Sequence, residues 1–288
     1  MTAPSERFAG VVDDVHGERL AAALLERGWA RQTAEARDDL EAIRALVVEL
    51  AASHLAIDPP ASSRHGEFLD GLGERIAVDA LNDLRLAVFR GLAARTWLRP
   101  AVFRLARRAL EVLVGNELAM QRRVNLSIQM PGDDSSLLPL HADSWSGDSP
   151  YEIVLWMPLV DCARTKSLFI LPRPAQERLL PAGEPGILAA ARTVDELFER
   201  VEDHVQFVDV PFGDVLLFDQ NLLHGNRVNR EATTRWSLNC RFKGLFTPYA
   251  DKKLGEFFEP ITVRPMSRLG MAHRFPKVPE TPPREPTP

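Results

Sequence analysis

Near Gly115 the chain changes its period, and that switch limits the folds open to it more than any other feature. Before it, apolar residues recur at helical spacing, with Leu40, Ile43, Val47 and Leu50 forming a three-and-four stripe. After it, Val124, Leu126, Ile128 and Met130 alternate with Asn125, Ser127 and Gln129. That is the two-residue period of a strand with one polar face. Helices first and strands afterwards predict a mainly β fold, a sandwich or barrel, with a helical N-terminal layer packed on its outside.

Local signals refine this plan. A helix is expected over 18–27, stopped by Gly28 as a C-terminal cap, with others over 79–92 and 100–114, where Pro100 suits a first turn. Pro59 and Pro60 interrupt the helical part. Strands are expected over 152–159, 167–171, 205–210, 215–218 and 235–246. Between Pro172 and Glu202 a Pro-rich loop and a short helix over 194–201 form an insertion of the kind that often covers a barrel mouth. The expected organisation is a helical region 1–114, a β core 115–275 and a disordered or extended Pro-rich tail 276–288, all in one structural domain.

Composition removes several classes of function. A formal net charge of −5 argues against nucleic acid as a main partner, because phosphate binding needs excess Lys and Arg. The basic stretch 99–108 is a local exception and reads as a solvated helix face. No run of about 18 apolar residues is present, so no membrane partner is expected, and Ser5, Glu6 and Arg7 do not open a secretory leader. Cys162 and Cys240 are too few for a disulfide framework, which suits a reduced, cytoplasmic setting. A small-molecule substrate is the partner class left.

The residues that carry chemistry lie in the strand-rich half. His141 and Asp143 stand two apart, so on a strand or its end both face one way and can reach one metal. Further on, Pro211 to Asp214 make a turn, Val215 to Phe218 a buried strand, and a short loop leads to His224. Gly225 beside it permits close backbone approach. Eleven residues past His224, Arg235 and Ser237 share one face of a strand. An arginine aimed into an apolar barrel needs an anion, and its planar fork suits a carboxylate. Arg241, six residues on along that face, competes for the role. Two histidines and one carboxylate define the facial triad of non-haem iron(II) sites. The polar face Asn125, Ser127 and Gln129 points either into the barrel or to solvent, and Trp145, Asp148 and Lys166, close to the ligands, are substrate-facing candidates.

The segments 140–145 and 213–218, His224 and Arg235-Trp236-Ser237 resemble the phytanoyl-CoA dioxygenase-like branch of the iron/2-oxoglutarate oxygenases. With 115–129, 145–150 and 165–167, the chain is most similar to the subset found sporadically in bacterial carbohydrate-biosynthesis clusters. The resemblance covers roughly residues 60–270. It implies a double-stranded β-helix (jelly-roll, cupin-like) and Fe(II) held by His141, Asp143 and His224. It also implies 2-oxoglutarate on Arg235 with help from Ser237, and Trp156 lining the cosubstrate site; if their face points inward, Asn125 and Gln129 join that lining. The implied reaction uses O2, releases succinate and CO2, and hydroxylates a small polar metabolite, carbohydrate-linked or another biosynthetic intermediate. The related halogenases replace the carboxylate by Gly or Ala, so Asp143 points to hydroxylation or desaturation. Two rivals stand beside this reading. One is a jelly-roll binding protein without catalysis, which has no use for all four residues. The other is a cupin-type metalloenzyme independent of 2-oxoglutarate, which does not need Arg235.

Overall fold

The structure, a computed structural model, describes residues 15–181 and 191–274. Helices α1 (Val15–Arg27), α2 (Arg37–His54), α3 (His65–Asp70), α4 (Leu81–Ala93), α5 (Leu98–Arg104) and α6 (Arg107–Leu113) precede Gly115. Helices α7 (Arg173–Leu179), α8 (Val194–Val201) and α9 (Pro265–Ala272) follow it. The strands are β1 (Trp29–Thr33), β2 (Leu118–Gln121), β3 (Asn125–Gln129), β4 (Glu152–Pro158) and β5 (Phe169–Ile170). They continue with β6 (Gln206–Phe207), β7 (Asp214–Asp219), β8 (His224–Gly225), β9 (Arg235–Gly244) and β10 (Phe258–Thr262).

These strands form two antiparallel sheets. The larger runs β1-β7-β4-β9-β2-β10, with β3 also paired to β9, and the smaller runs β6-β5-β8. Strand β9 is where the two-residue period does most. Trp236, Leu238, Cys240 and Phe242 are fully buried on the side of the helices. There the Trp236 indole donates to the Leu69 carbonyl at 2.9 Å, and the Phe242 ring lies 6.2 Å from Phe103 of α5. Truncating a tryptophan so enclosed costs about 3–5 kcal/mol. The alternate residues Arg235, Ser237, Asn239 and Arg241 face away from this core, so one strand separates the apolar layer from the polar one.

Three expectations need correction. The N-terminal region is not wholly helical: β1 joins the large sheet by pairing with β7. Five residues are too few to show a period, and the pairing is made with a segment far along the chain. Gly28, at φ +87°, reverses the chain between α1 and β1, a conformation that glycine adopts without strain. The helix expected over 100–114 is two helices, parted at Ala106 (φ −146°, ψ 32°). The insertion after Pro172 begins with α7 rather than a loop, its Pro174 sitting in the first turn, where no amide hydrogen is missed.

Among the described residues, that insertion contributes none of the lining of the cavity described below. It packs on the small sheet instead, α8 burying Leu197, Phe198 and Val201 in a cluster with Phe169, Leu140 and Leu223. The tail expected over 276–288 lies outside the described residues. Among those residues no helix is long and apolar enough to cross a membrane.

A candidate metal and anion site between the sheets

His141 and His224 meet because their backbones pair. His141 N–H donates to the His224 carbonyl at 3.0 Å and the reverse bond is 2.9 Å, so the two residues sit opposite each other. Strand β8 is also held by β5, where Ile170 faces His224. The approach is close enough to require glycine next door: a Cβ on Gly225 would lie 2.6 Å from the Leu138 carbonyl and 2.9 Å from that of Pro139. From α7, Gln176 accepts from Leu223 N–H at 2.7 Å and donates to the Asn221 carbonyl at 2.9 Å, bracing the segment that leads to His224. Asp143 N–H donates to the Gln220 carbonyl at 3.1 Å, which sets the carboxylate beside the two rings.

The three side chains converge. One ligand atom from each of His141, Asp143 and His224 lies within 4.8 Å of the others. Asp143 Oδ1 is 3.4 Å from His141 Nε2 and 3.9 Å from His224 Nε2. The ring orientations suit a metal. His141 Nδ1 lies 2.7 Å from the Pro139 carbonyl and His224 Nδ1 lies 2.9 Å from the Leu222 carbonyl. A carbonyl only accepts, so each Nδ1 carries a proton and each ring turns its Nε2 toward Asp143, the atom that offers a lone pair to a metal when the ring is neutral.

Electrostatics prepare the same set. Burial raises the Asp143 carboxyl, but His141, His224 and Arg241 outweigh it and hold it well below the usual carboxylate range. Burial pushes the His224 imidazole down to about 4, so it is neutral at pH 7. Burial also lowers His141, but the Asp143 carboxylate and the Pro139 carbonyl overcome it, and the net shift is upward. An anionic oxygen and imidazole nitrogens meeting in one place are the donor set of a facial triad.

A cavity of about 750 Å³ opens from this cluster and is lined by both sheets. Arg235 reaches it from β9. Its guanidinium is buried and donates to Ser127 Oγ at 2.9 Å, while its Nε has no hydrogen-bond partner. No carboxylate pairs with it among the described residues. Burial pushes it down to about 10, which leaves it charged at neutral pH. The Ser237 hydroxyl nearby is likewise buried and unpartnered. A buried cation with a spare donor, open to a cavity, is a receptor for a small anion.

The sequence-based candidates divide. Asn125, Trp156, Asp148 and Arg241 line the cavity with the triad and Arg235. Ser237 is fully buried opposite Ser127. Gln129 is displaced from the expected role: its amide donates to the Arg227 carbonyl at 2.7 Å and it does not line the cavity. Lys166 is buried and pairs with Asp70 at 2.6 Å and Thr233 at 2.7 Å, so it ties the end of α3 to the segment before β9 and is not free for substrate. Trp145 is 52% exposed and off the cavity lining, because the turn at 143–146 swings it outward while holding Asp143 in.

Arg241 is neither anion receptor nor free for substrate. Its Nη2 lies 2.8 Å and its Nε 3.2 Å from Asp143 Oδ2, which leaves Oδ1 to the histidines. Behind it Asp148 lies 3.7 Å away and is itself paired with Lys252, while the Gln121 side-chain carbonyl accepts the Arg241 N–H at 3.2 Å. Sequence reasoning missed Lys252 and Gln121 in this support, and also Arg85, which lines the cavity and bonds Ser136 Oγ at 2.6 Å. None carries a local pattern that marks it.

No family model matches the sequence, and no curated protein matches it. Solved structures do resemble it in shape. A non-haem monooxygenase described as a ThoJ–nickel complex aligns with a TM-score of 0.55 at 15% identity, over 91% of this chain and 89% of that one. EctD from S. alaskensis, solved with 2-oxoglutarate and 5-hydroxyectoine, gives 0.50 at 18% identity over 80% and 77%. SnoK, a non-haem alpha-ketoglutarate-dependent carbocyclase from nogalamycin biosynthesis, gives 0.50 at 15% over 85% and 96%. At these identities the likeness defines the fold: the chain has the helix-layered antiparallel architecture of this group of non-haem enzymes.

Proposed function

We propose that this chain is a non-haem Fe(II)/2-oxoglutarate-dependent dioxygenase that hydroxylates a small polar metabolite in the cytoplasm. The observation that carries the proposal is the coexistence, in one cavity, of a converged His-Asp-His cluster and a buried arginine without a carboxylate of its own. The fold likeness supports a double-stranded β-helix as the frame, and two of the similar structures are EctD with 2-oxoglutarate and the alpha-ketoglutarate-dependent SnoK.

The residues fit the two groups. His141 Nε2, Asp143 Oδ1 and His224 Nε2 would hold iron, and three protein donors would leave coordination positions for cosubstrate and O2. Arg235 would take the distal carboxylate of 2-oxoglutarate, with the unpartnered Ser237 hydroxyl beside it. Bound there, the pair would supply oxidative decarboxylation to succinate and CO2 coupled to oxidation of a substrate C–H bond. The chain's own work is positional. Ser127 fixes the guanidinium, Arg241 fixes Asp143, and buried Trp156 and Phe218 keep water from the inner end of the cavity. A carboxylate among the ligands leaves no place for a halide, which favours hydroxylation.

Anaerobic addition of Fe(II) and 2-oxoglutarate tests this by the weak visible charge-transfer band of the chelate. The wild type should show it, and Arg235→Ala should lose it at the same cosubstrate concentration while keeping iron. Iron uptake with neither band nor succinate release would put the cupin-type reading ahead. No metal uptake would favour a binding protein.

A further inference from the structure

A second cavity, of about 860 Å³, adjoins the first and shares Phe89 and Asn125 with it as walls. Its rim carries four arginines, Arg95, Arg99, Arg122 and Arg123. Glu259 occupies two of them, lying 2.7 Å from Arg99 and 3.0 Å from Arg122. Arg95 and Arg123 are exposed and have no ion-pair or hydrogen-bond partner for their side chains among the described residues. Glu256 is the acidic residue in the lining. The cleft therefore keeps a positive excess in a chain whose net charge is −5, where a diffuse field would repel anions rather than collect them.

The rest of the lining is apolar and partly aromatic. Phe89 and Phe257 are half-buried there, beside buried Leu92 and Val124. Arginines around aromatic walls suit a flat or apolar body bearing a dianion, because the guanidinium both pairs with phosphate and stacks on rings. The partition between the cavities is made of amides. Gln121 on the cleft side donates to Asn125 at 3.2 Å, and Asn125 donates to Asn239, which lines the inner cavity, at 2.9 Å. Either cavity alone is large enough for a small metabolite, and two that share Phe89 and Asn125 as walls suit a molecule with two parts.

We infer that the arginine cleft is the outer half of the substrate site and holds a phosphate-type dianion attached to a flat or apolar segment, with the carbon to be oxidised lying in the inner cavity. This rests on the oxygenase reading for what happens to the far end of the substrate, but the anion-binding claim is measured separately. It also replaces the solvated-face reading of Arg99.

Phenyl phosphate is the probe, titrated by calorimetry into protein loaded anaerobically with Fe(II) and 2-oxoglutarate, and into protein with neither. Wild type should bind it in both states, and phenol should not compete. Arg95→Ser/Arg123→Ser should weaken binding about tenfold or more, the loss of roughly one charge-assisted hydrogen bond's worth of affinity. Arg95→Lys/Arg123→Lys should recover part of it. Both residues are exposed and unpaired, so the fold and the chelate band should be unchanged. Equal affinity in the double Ser variant, or no binding by wild type, overturns the inference. Absence of the band with binding still lost in the double Ser variant would sink the oxygenase reading and leave the cleft standing.

Discussion

Strand β9 carries two arginines on one face, six residues apart, and their surroundings are opposite. Arg241 sits among carboxylates: Asp143 takes two of its nitrogens, Asp148 lies behind, and burial is outweighed so that its pKa rises. Arg235 has one serine and, among the described residues, no anion, and burial pushes it down to about 10. The same side chain thus does two jobs. A buried cation already neutralised by the protein is scaffolding. A buried cation left unneutralised is waiting for a ligand, because the fold alone gives no return for its desolvation.

The comparison predicts unequal mutants. The largest effect should come from Asp143→Ala, which removes an iron ligand and takes from Arg241 its closest carboxylate, leaving it Asp148 at 3.7 Å. Iron retention and succinate release should both be lost, and denaturant melts should show a loss of at most about 3 kcal/mol from the broken buried ion pair, since Asp148 still faces Arg241. Retained turnover would show that the ligand assignment is wrong. Arg235→Met should come next in activity, raising the 2-oxoglutarate KM roughly 100-fold or more at unchanged iron content. It should leave stability unchanged or improved, since no ion pair is broken. A strongly destabilised Arg235→Met protein would mean that the guanidinium is structural after all. Arg241→Met should behave the other way. Iron affinity should fall about 10–100-fold, as for other partners that orient a ligand, and the melting temperature should fall with it.

These two arginines also show what sequence can and cannot carry. Alternation along β9 put Arg235, Ser237 and Arg241 on one face, and alternation in β3 put Asn125, Ser127 and Gln129 on another whose direction it left open; the pairing that sets Ser127 against Ser237 and Asn125 against Asn239 is seen only in the fold. The triad was legible because both halves have local signatures: a two-residue spacing, and a turn, apolar strand and loop before His224. What alternation does not encode is who arrives from elsewhere. Arg241 meets Asp143 across 98 positions and Lys166 meets Asp70 across 96, so one looked like a free cation and the other like a substrate contact. Strands β1 and β8 were illegible for a related reason. Five and two residues hold too little period, and pairing with distant strands makes them strands at all. Trp145 follows from neither rule, since a tight turn decides its direction.

The smallest expected effect lies just behind Arg241 and depends on pH. Glu152 is buried next to Asp148, and burial first, then that negative neighbour, pushes its carboxyl up to about 7. The Ser149 N–H and the charges of Lys243 and Arg241 only partly offset this. In the unfolded chain the group ionises near its ordinary value of 4.5. Between about 4.5 and 7 the folded protein therefore holds a proton that the unfolded chain has lost. Stability from this group is complete below that window, declines as pH rises through it, and is gone above it. Glu152→Gln, which keeps the neutral shape, should flatten the slope of unfolding free energy between pH 5 and 7 and make the variant the more stable protein at pH 8. Denaturant midpoints of both proteins at pH 5, 6, 7 and 8 measure this. Parallel curves would show Glu152 ionised throughout, and Arg241 would then be the centre of a larger negative cluster than the contrast with Arg235 supposes.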